Sequence, residues 1–308
     1  MTRTDWAELQ ALLSPDGNVS AEDLAGELRQ LGDGEEAAIE AYEQSHDTTD
    51  EDSIPFNLDG DGSFSYSLAE DAFMEAELRL QACGKHYPFD VANNYIQAKD
   101  DARGSLYAFL LLLRWYGESA LGNEDRVSVL FEEISMAAAR GYFGWDTTES
   151  YRFGYPRPTD QPEGFRDALI ELASRLREGF TPHTANPLAS QKDGGLDVVV
   201  WKGFPDASPS KLIGFGQCAT GKDWVDKTQD FSFSYFFQQW ATPPPPVGVG
   251  MMFVPFCIDP DRWLQHANHA GVLFDRCRIA SLADVMPEDV RTAWRSWVTE
   301  LVREATAI

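Results

Sequence analysis

Residues 192–224, KDGGLDVVVWKGFPDASPSKLIGFGQCATGKDW, decide how this chain reads. Two apolar runs, LDVVVW and KLIGFGQCA, flank KGFPDASPS, a cluster of Pro, Ser and Asp that favours a turn. The pattern predicts a pair of neighbouring strands. Asp197 stands at the mouth of the first, after Gly194 and Gly195, and Gln217 stands inside the second. A carboxylate beside a run of valines is costly without a partner. Two plain readings exist: Asp197 caps the turn or pairs with Lys192 or Lys202, and Gln217 satisfies backbone groups at the sheet end. The sharper reading is a shared crevice in which one negative and one neutral oxygen meet a hard cation such as Mg²⁺, which takes few protein ligands and keeps several waters. Lys222, in the following Gly-containing turn, would then orient a water or stabilise developing phosphorane charge.

Outward from this stretch, the C-terminal half reads as helix, two strands, helix, strand, helix, strand, helix. GFRDALIELASRLREGF carries Leu169, Leu172 and Leu176 on one face. TQDFSFSYFFQQWA is read as a helix from its length and placement, MMFVPFCI as a strand, DPDRWLQHANHAG as a short helix and VLFDRCRIASL as a strand leading out. PEDVRTAWRSWVTELVREA closes the chain as an amphipathic helix, and TPHTANPL offers a possible extra strand. The order describes a mixed sheet with helices on its faces.

The N-terminal half reads as helical. Ser20 with Asp23 forms a weak capping box before Leu24, Leu28 and Leu31. Helices are predicted over about 67–83, 90–102, 104–117 and 124–141, with KHYPFDV as a break at Pro88. RGYFGWDTTESYRFGYPRPTDQPEG reads as an ordered aromatic connector, which places a boundary near residue 160: an acidic helical domain over 1–160 and an α/β domain over 161–308.

Charge divides the chain in the same sense. The net charge is -25; residues 1–150 hold 9 Lys+Arg against 31 Asp+Glu, and residues 151–308 hold 16 against 19. The front half is expected to repel nucleic acid and to favour a basic protein partner, so a phosphate-binding surface belongs to the back half. No run of about 18 apolar residues is present, so no membrane span is predicted. MTRTDWAELQ has no basic-then-apolar leader. Cys83, Cys218, Cys257 and Cys277 form no CxxC pair and suit a reducing cytoplasm.

The strand pair with Asp197 and Gln217 resembles the PD-(D/E)xK, or restriction-endonuclease-like, nuclease superfamily. GGLDVV is similar to its first motif, an Asp at the start of a strand. GQCATGK is similar to the second, (E/Q)-x-K, with Gln217 at the acid or amide position, Ala219 at the lysine position and Lys222 as a displaced substitute. The resemblance implies an α+β (mixed) fold with an αβββαβ core behind an all-α front domain. It also implies Mg²⁺ or Mn²⁺ held by Asp197, Gln217 and an acid on the leading helix, for which Glu171 is the best-placed residue. The implied activity is hydrolysis of phosphodiesters in nucleic acid, DNA in particular, with Lys222 assisting. The layout is also similar to bacterial proteins thought of as defence components. The alternative is an inactive nuclease-fold module that binds a protein through its acidic half.

Two weaker metal patterns are present. Asp59, Asp61, Ser63 and Glu70 fall at positions 1, 3, 5 and 12 of a calcium loop, but Phe64 takes the glycine position. His266 and His269, flanked by Cys257 and Cys277, form a loose zinc pattern that matches no finger spacing. In FDRCR, Asp275 with Arg276 and Arg278 suggests a buried ion pair bracing the sheet, or a phosphate contact through Arg278.

Overall fold

The strand pair forms as predicted. Val198–Lys202 and Leu212–Cys218 run antiparallel, with Val198 opposite Gly216 and Lys202 opposite Leu212. These positions come from a computed structural model. The structure describes residues 2–33, 63–92, 94–183, 192–221, 224–225, 227, 233–242 and 248–307. The chain divides into two compact units, Met1–Arg103 and Gly104–Ile308. The predicted boundary near 160 therefore falls inside the second unit.

The first unit contains α1 (Arg3–Leu13), β1 (Asn18–Ser20), α2 (Ala21–Asp33), α3 (Ser63–Cys83), β2 (Phe89–Ala92) and β3 (Tyr95–Ala98). It is not all-α: its strands form an antiparallel sheet in the order β1-β3-β2. The segment predicted as a helix over 90–102 is a hairpin, because Phe89 and Ile96 are fully buried and period-2 burial holds β2 and β3 against the helices. Ser20 does cap α2, exchanging hydrogen bonds with Asp23 as a capping box does. Inside the unit, buried Arg79 bridges Asp5 at 2.8 Å, Glu8 at 3.0 Å and Glu75 at 2.5 Å. The calcium pattern cannot be placed, since Asp59 and Asp61 lie outside the described residues.

The second unit contains α4 (Leu106–Tyr116), α5 (Glu124–Phe143), β4 (Thr148–Arg152), α6 (Phe165–Leu176), β5 (Thr181–Pro182), β6 (Val198–Lys202), β7 (Leu212–Cys218), α7 (Phe233–Trp240), β8 (Ala241–Thr242), β9 (Gly248–Phe253), α8 (Trp263–Ala270), β10 (Val272–Phe274), α9 (Arg276–Leu282) and α10 (Glu288–Ala305). Its main sheet runs β10-β9-β7-β6-β4. The β4–β6 and β6–β7 pairs are antiparallel, and the β7–β9 and β9–β10 pairs are parallel. The architecture is mixed α/β. Two sequence readings are corrected here. The aromatic connector holds a true strand, β4, where Tyr151 and Arg152 are buried. VLFDRCRIASL is a strand only over Val272–Phe274, because Asp275 caps a helix by accepting from the Arg278 amide at 3.0 Å.

Both sheet faces are covered. Val199, Trp201, Ile213 and Phe215 share a core with Leu169 and Leu172 of α6 and Phe236 and Phe237 of α7. The opposite face meets α5: Lys202 Nζ donates to the Phe143 carbonyl at 3.0 Å. At one point α5 and α9 nearly touch backbone to backbone, for a Cβ added at Gly141 would lie 2.1 Å from the Leu282 carbonyl oxygen. Helix α4, LYAFLLLLRWY, is buried from Tyr107 to Leu113, starts at Ser105 as N-cap and stops at Gly117. Among the described residues, no helix is long and apolar enough to cross a membrane.

Candidate active site at the β6–β7 mouth

The Gly194-Gly195 turn has φ of 70° and 83°, a conformation that glycine adopts without steric cost. Asp193 closes it by accepting from the Gly195 amide at 2.9 Å. The chain then enters β6 with Asp197 fixed on both sides. Its amide donates to the Gly216 carbonyl at 3.0 Å, and its carbonyl accepts from the Phe153 and Gly154 amides at 2.7 and 3.0 Å. The paired register ends at Val198 opposite Gly216, and by strand alternation Gln217 follows Ile213 and Phe215 on the face that meets α6 and α7, whereas Cys218 faces Glu132 and Ser135 of α5. The Asp197 carboxylate leans onto β7, where Oδ2 accepts from the Cys218 amide at 2.7 Å.

Among the described residues neither Lys192 nor Lys202 pairs with Asp197. Lys202 serves the Phe143 and Gly144 carbonyls. The Lys192 ammonium lies over the Tyr155 ring. Gln217 is buried, and its Oε1 accepts no hydrogen bond among the described residues. A buried acceptor without a donor is unusual and marks a place where a ligand or water belongs.

The acid that completes the cluster is Glu132, which the sequence reading missed. It is buried on α5, and its Oε2 accepts from Arg152 of β4 at 2.7 Å. A Cβ added at Gly154 would lie 2.3 Å from Glu132 Oε2, so the carboxylate rests against the backbone that also holds Asp197. Glu171, the predicted helix acid, sits on α6 in an exposed i,i+4 pair with Arg175. It is not among the charges acting on Asp197, which come from Glu132, Asp193 and Lys227. A signal for Glu132 was present. Glu132 and Ser135, three residues apart, interrupt an apolar stripe that includes Leu130, Phe131 and Ile134.

Electrostatics follow from this packing. Burial and the neighbouring Glu132 carboxylate push Asp197 well above the ordinary range. Burial raises Glu132 to about 7 against the pull of Arg152, with Asp193 and Glu118 pushing the same way as burial. Burial also raises Glu118, which accepts from Thr220 Oγ1 at 2.7 Å. Burial and the Asp197 carboxylate raise Cys218, which disfavours its thiolate. Lys227 lowers both Asp197 and Glu118, making it a cation of this acidic cluster. Lys222 lies outside the described residues. The lysine position of the motif, Ala219, is buried in an apolar cluster with Trp224, Met252 and Phe256.

A pH dependence follows. Between 4.5 and about 7 the folded protein keeps a proton on Glu132 that the unfolded chain has released. Stability from this group is therefore fully present below pH 4.5 and is lost as pH rises through about 7. Asp197 acts in the same direction. Urea unfolding across that window should show stability falling with pH, and Glu132→Gln should flatten the slope.

The residues fit a divalent cation. Among the described residues, Asp197 Oδ1 and Glu132 Oε1 remain without a hydrogen-bond donor. Two crowded carboxylates form a donor pair of the hard type that Mg²⁺ or Mn²⁺ prefers. The histidine zinc pattern does not assemble: the His266 ring packs on Trp224 at 4.6 Å, while Cys257 and Cys277 gather with Asp275. Arg278 stacks on Trp263 and donates to the Leu273 carbonyl, so its described contacts are internal. Comparison with protein-family models, curated proteins and solved structures returned no match.

Proposed function

We propose that the Gly104–Ile308 unit is a metal-dependent nuclease domain that hydrolyses phosphodiesters of nucleic acid, DNA in particular. One observation carries this reading. Glu132 and Asp197 come from different elements, both are raised by burial, and the Glu132 charge raises the proton affinity of Asp197 further. The element order supports it: α5, then the antiparallel strands β4, β6 and β7, then α7, then β9 parallel to β7. With α6 and the short strands β5 and β8 left out, that sequence of elements runs α, β, β, β, α, β; the motif resemblance takes α6, with Glu171, as the leading helix.

Asp197 and Glu132 would hold Mg²⁺ or Mn²⁺, which when bound supplies a Lewis acid for the phosphoryl oxygen and a more acidic water. The chain's own residues do the rest. Arg152 holds Glu132 in place, and the Cys218 amide holds Asp197. Lys227 places positive charge at the acidic cluster, a role the sequence reading gave to Lys222. The raised carboxyls must lose their protons before a cation enters, so metal affinity should rise with pH.

The test uses the full chain with single- and double-stranded DNA and RNA, in Mn²⁺ and in Mg²⁺. Wild type should cleave one of them and gain melting temperature with Mn²⁺. Asp197→Asn should lose roughly 100-fold or more of the rate, together with the melting gain. Equal melting shifts in wild type and variant would remove the metal site from the account. A second reading, an inactive nuclease-fold module, is favoured by the buried Ala219. It predicts neither cleavage nor a manganese-dependent melting gain, but binding of a basic protein through the acidic Met1–Arg103 unit.

A further inference from the structure

A second ligand cluster lies in the same unit and plays no part in the proposed hydrolysis. Cys257 follows β9, Asp275 caps α9, and Cys277 is the second residue of that helix. The Arg276 amide donates to the Phe256 carbonyl at 3.0 Å, which staples the strand exit to the helix start. One ligand atom from each of Cys257, Asp275 and Cys277 lies within 4.8 Å of the other two. The two sulfurs are 3.9 Å apart. Two thiolates bound to one tetrahedral zinc at about 2.3 Å each stand about 3.8 Å apart. The thiols therefore already sit at the edge length of a zinc tetrahedron.

Charge supports the same assignment. Two thiolates and a carboxylate carry one more negative charge than zinc neutralises. Arg276, fully buried beside Asp275, supplies the balance. Its Nε is anchored by the Pro255 carbonyl at 3.0 Å, and its guanidinium lies over the Tyr107 ring. The Tyr107 hydroxyl is 3.8 Å from the Cys257 sulfur, so aromatic and cationic groups wall the cluster on that side. Cys257 is only half-buried, which leaves an approach for the ion. Asp275 Oδ1 already accepts from the Arg278 amide, which orients the carboxylate.

We propose that Cys257, Asp275 and Cys277 form a zinc site, with water in the fourth position, that ties the end of β9 to the start of α9. Binding releases the two thiol protons to solvent and changes no oxidation state. The site is soft where the Asp197–Glu132 cluster is hard, so the two would take different metals.

The full chain, expressed with zinc, should carry about one zinc by elemental analysis. After chelation, Co²⁺ should titrate to a break at one equivalent, with sulfur-to-cobalt charge-transfer absorption and tetrahedral ligand-field bands. Cys277→Ser should abolish the charge-transfer pattern, and Asp275→Asn should weaken affinity by about 10–100-fold. Asp197→Asn and His266→Ala should both retain the full stoichiometry, which separates this site from the hydrolytic cluster and from the histidines. Should Cys277→Ser fail to fold, the wild-type cobalt titration decides alone. Zinc-free protein without a cobalt–thiolate band would overturn the site. So would a Cys257–Cys277 disulfide in protein isolated without air.

Discussion

Arg152→Ala should destabilise the protein by about 3–5 kcal/mol, the usual cost of removing one partner from a buried ion pair. The guanidinium is nearly inaccessible and serves three acceptors: Glu132 Oε2 at 2.7 Å, the Gly154 carbonyl at 3.3 Å and the Pro156 carbonyl at 2.5 Å. Its loss leaves a buried carboxyl crowded by Asp193 and Glu118, without the guanidinium that lowers its proton affinity. Glu132 would then hold its proton to still higher pH, and the lost stability would be greatest above pH 7. Chemical denaturation at pH 5 and pH 8 measures this: the deficit should be larger at pH 8. The double variant Arg152→Met with Glu132→Leu should cost less than the sum of the single changes, since it removes both charges together. Additive losses would mean that the two groups are not coupled.

Gly141→Ala is the second large effect, and its cause is steric. The Cβ would lie 2.1 Å from the Leu282 oxygen and 3.0 Å from the Leu282 carbonyl carbon. Those atoms are backbone, so no rotamer change relieves the overlap; α5 must move away from α9. Alanine favours helix by about 1 kcal/mol over glycine in a helix interior, which makes the test sharp, because propensity and packing oppose each other. The clash should win, with a net loss of about 2–3 kcal/mol by overpacking. Thermal unfolding reads the sign directly, and an increase in melting temperature would refute the close approach. Because α5 also carries Glu132, the same change should weaken manganese binding. Gly26, where an added Cβ meets no neighbouring element within 4 Å among the described residues, provides the control, and Gly26→Ala should be neutral or stabilising.

The two candidate residues that the sequence singled out, Asp197 and Gln217, lie on one short hairpin. Their placement on it depended only on local signals: a glycine turn, a valine run, a polar turn cluster and a second apolar run. Glu132 was not legible in the same way. It precedes Asp197 by a long stretch of chain, and its neighbour Glu133 carries the same side chain one step round the helix. Glu171 offered the same chemistry on a better-recognised helix, yet its side chain turns to Arg175. Choosing among these acids required β4, and TESYR carries no strong strand pattern because it lies at the sheet edge.

By itself the sequence determined the 198–218 hairpin, the mixed α/β character, the closing helix and the buried helix over Leu106–Tyr116. These rest on periodicity and turn residues, which act over a few neighbours. Only the tertiary structure decided the rest. The β2–β3 hairpin exists because Phe89 and Ile96 find a core to enter, although Pro88 and the preceding residues read as a break. Helix α5 belongs to the sheet unit because Gly141 and Gly154 admit close neighbours. Glu132 stands out as a candidate only in the folded chain, because burial makes its charge expensive, and that cost arises only when distant segments share one low-dielectric space.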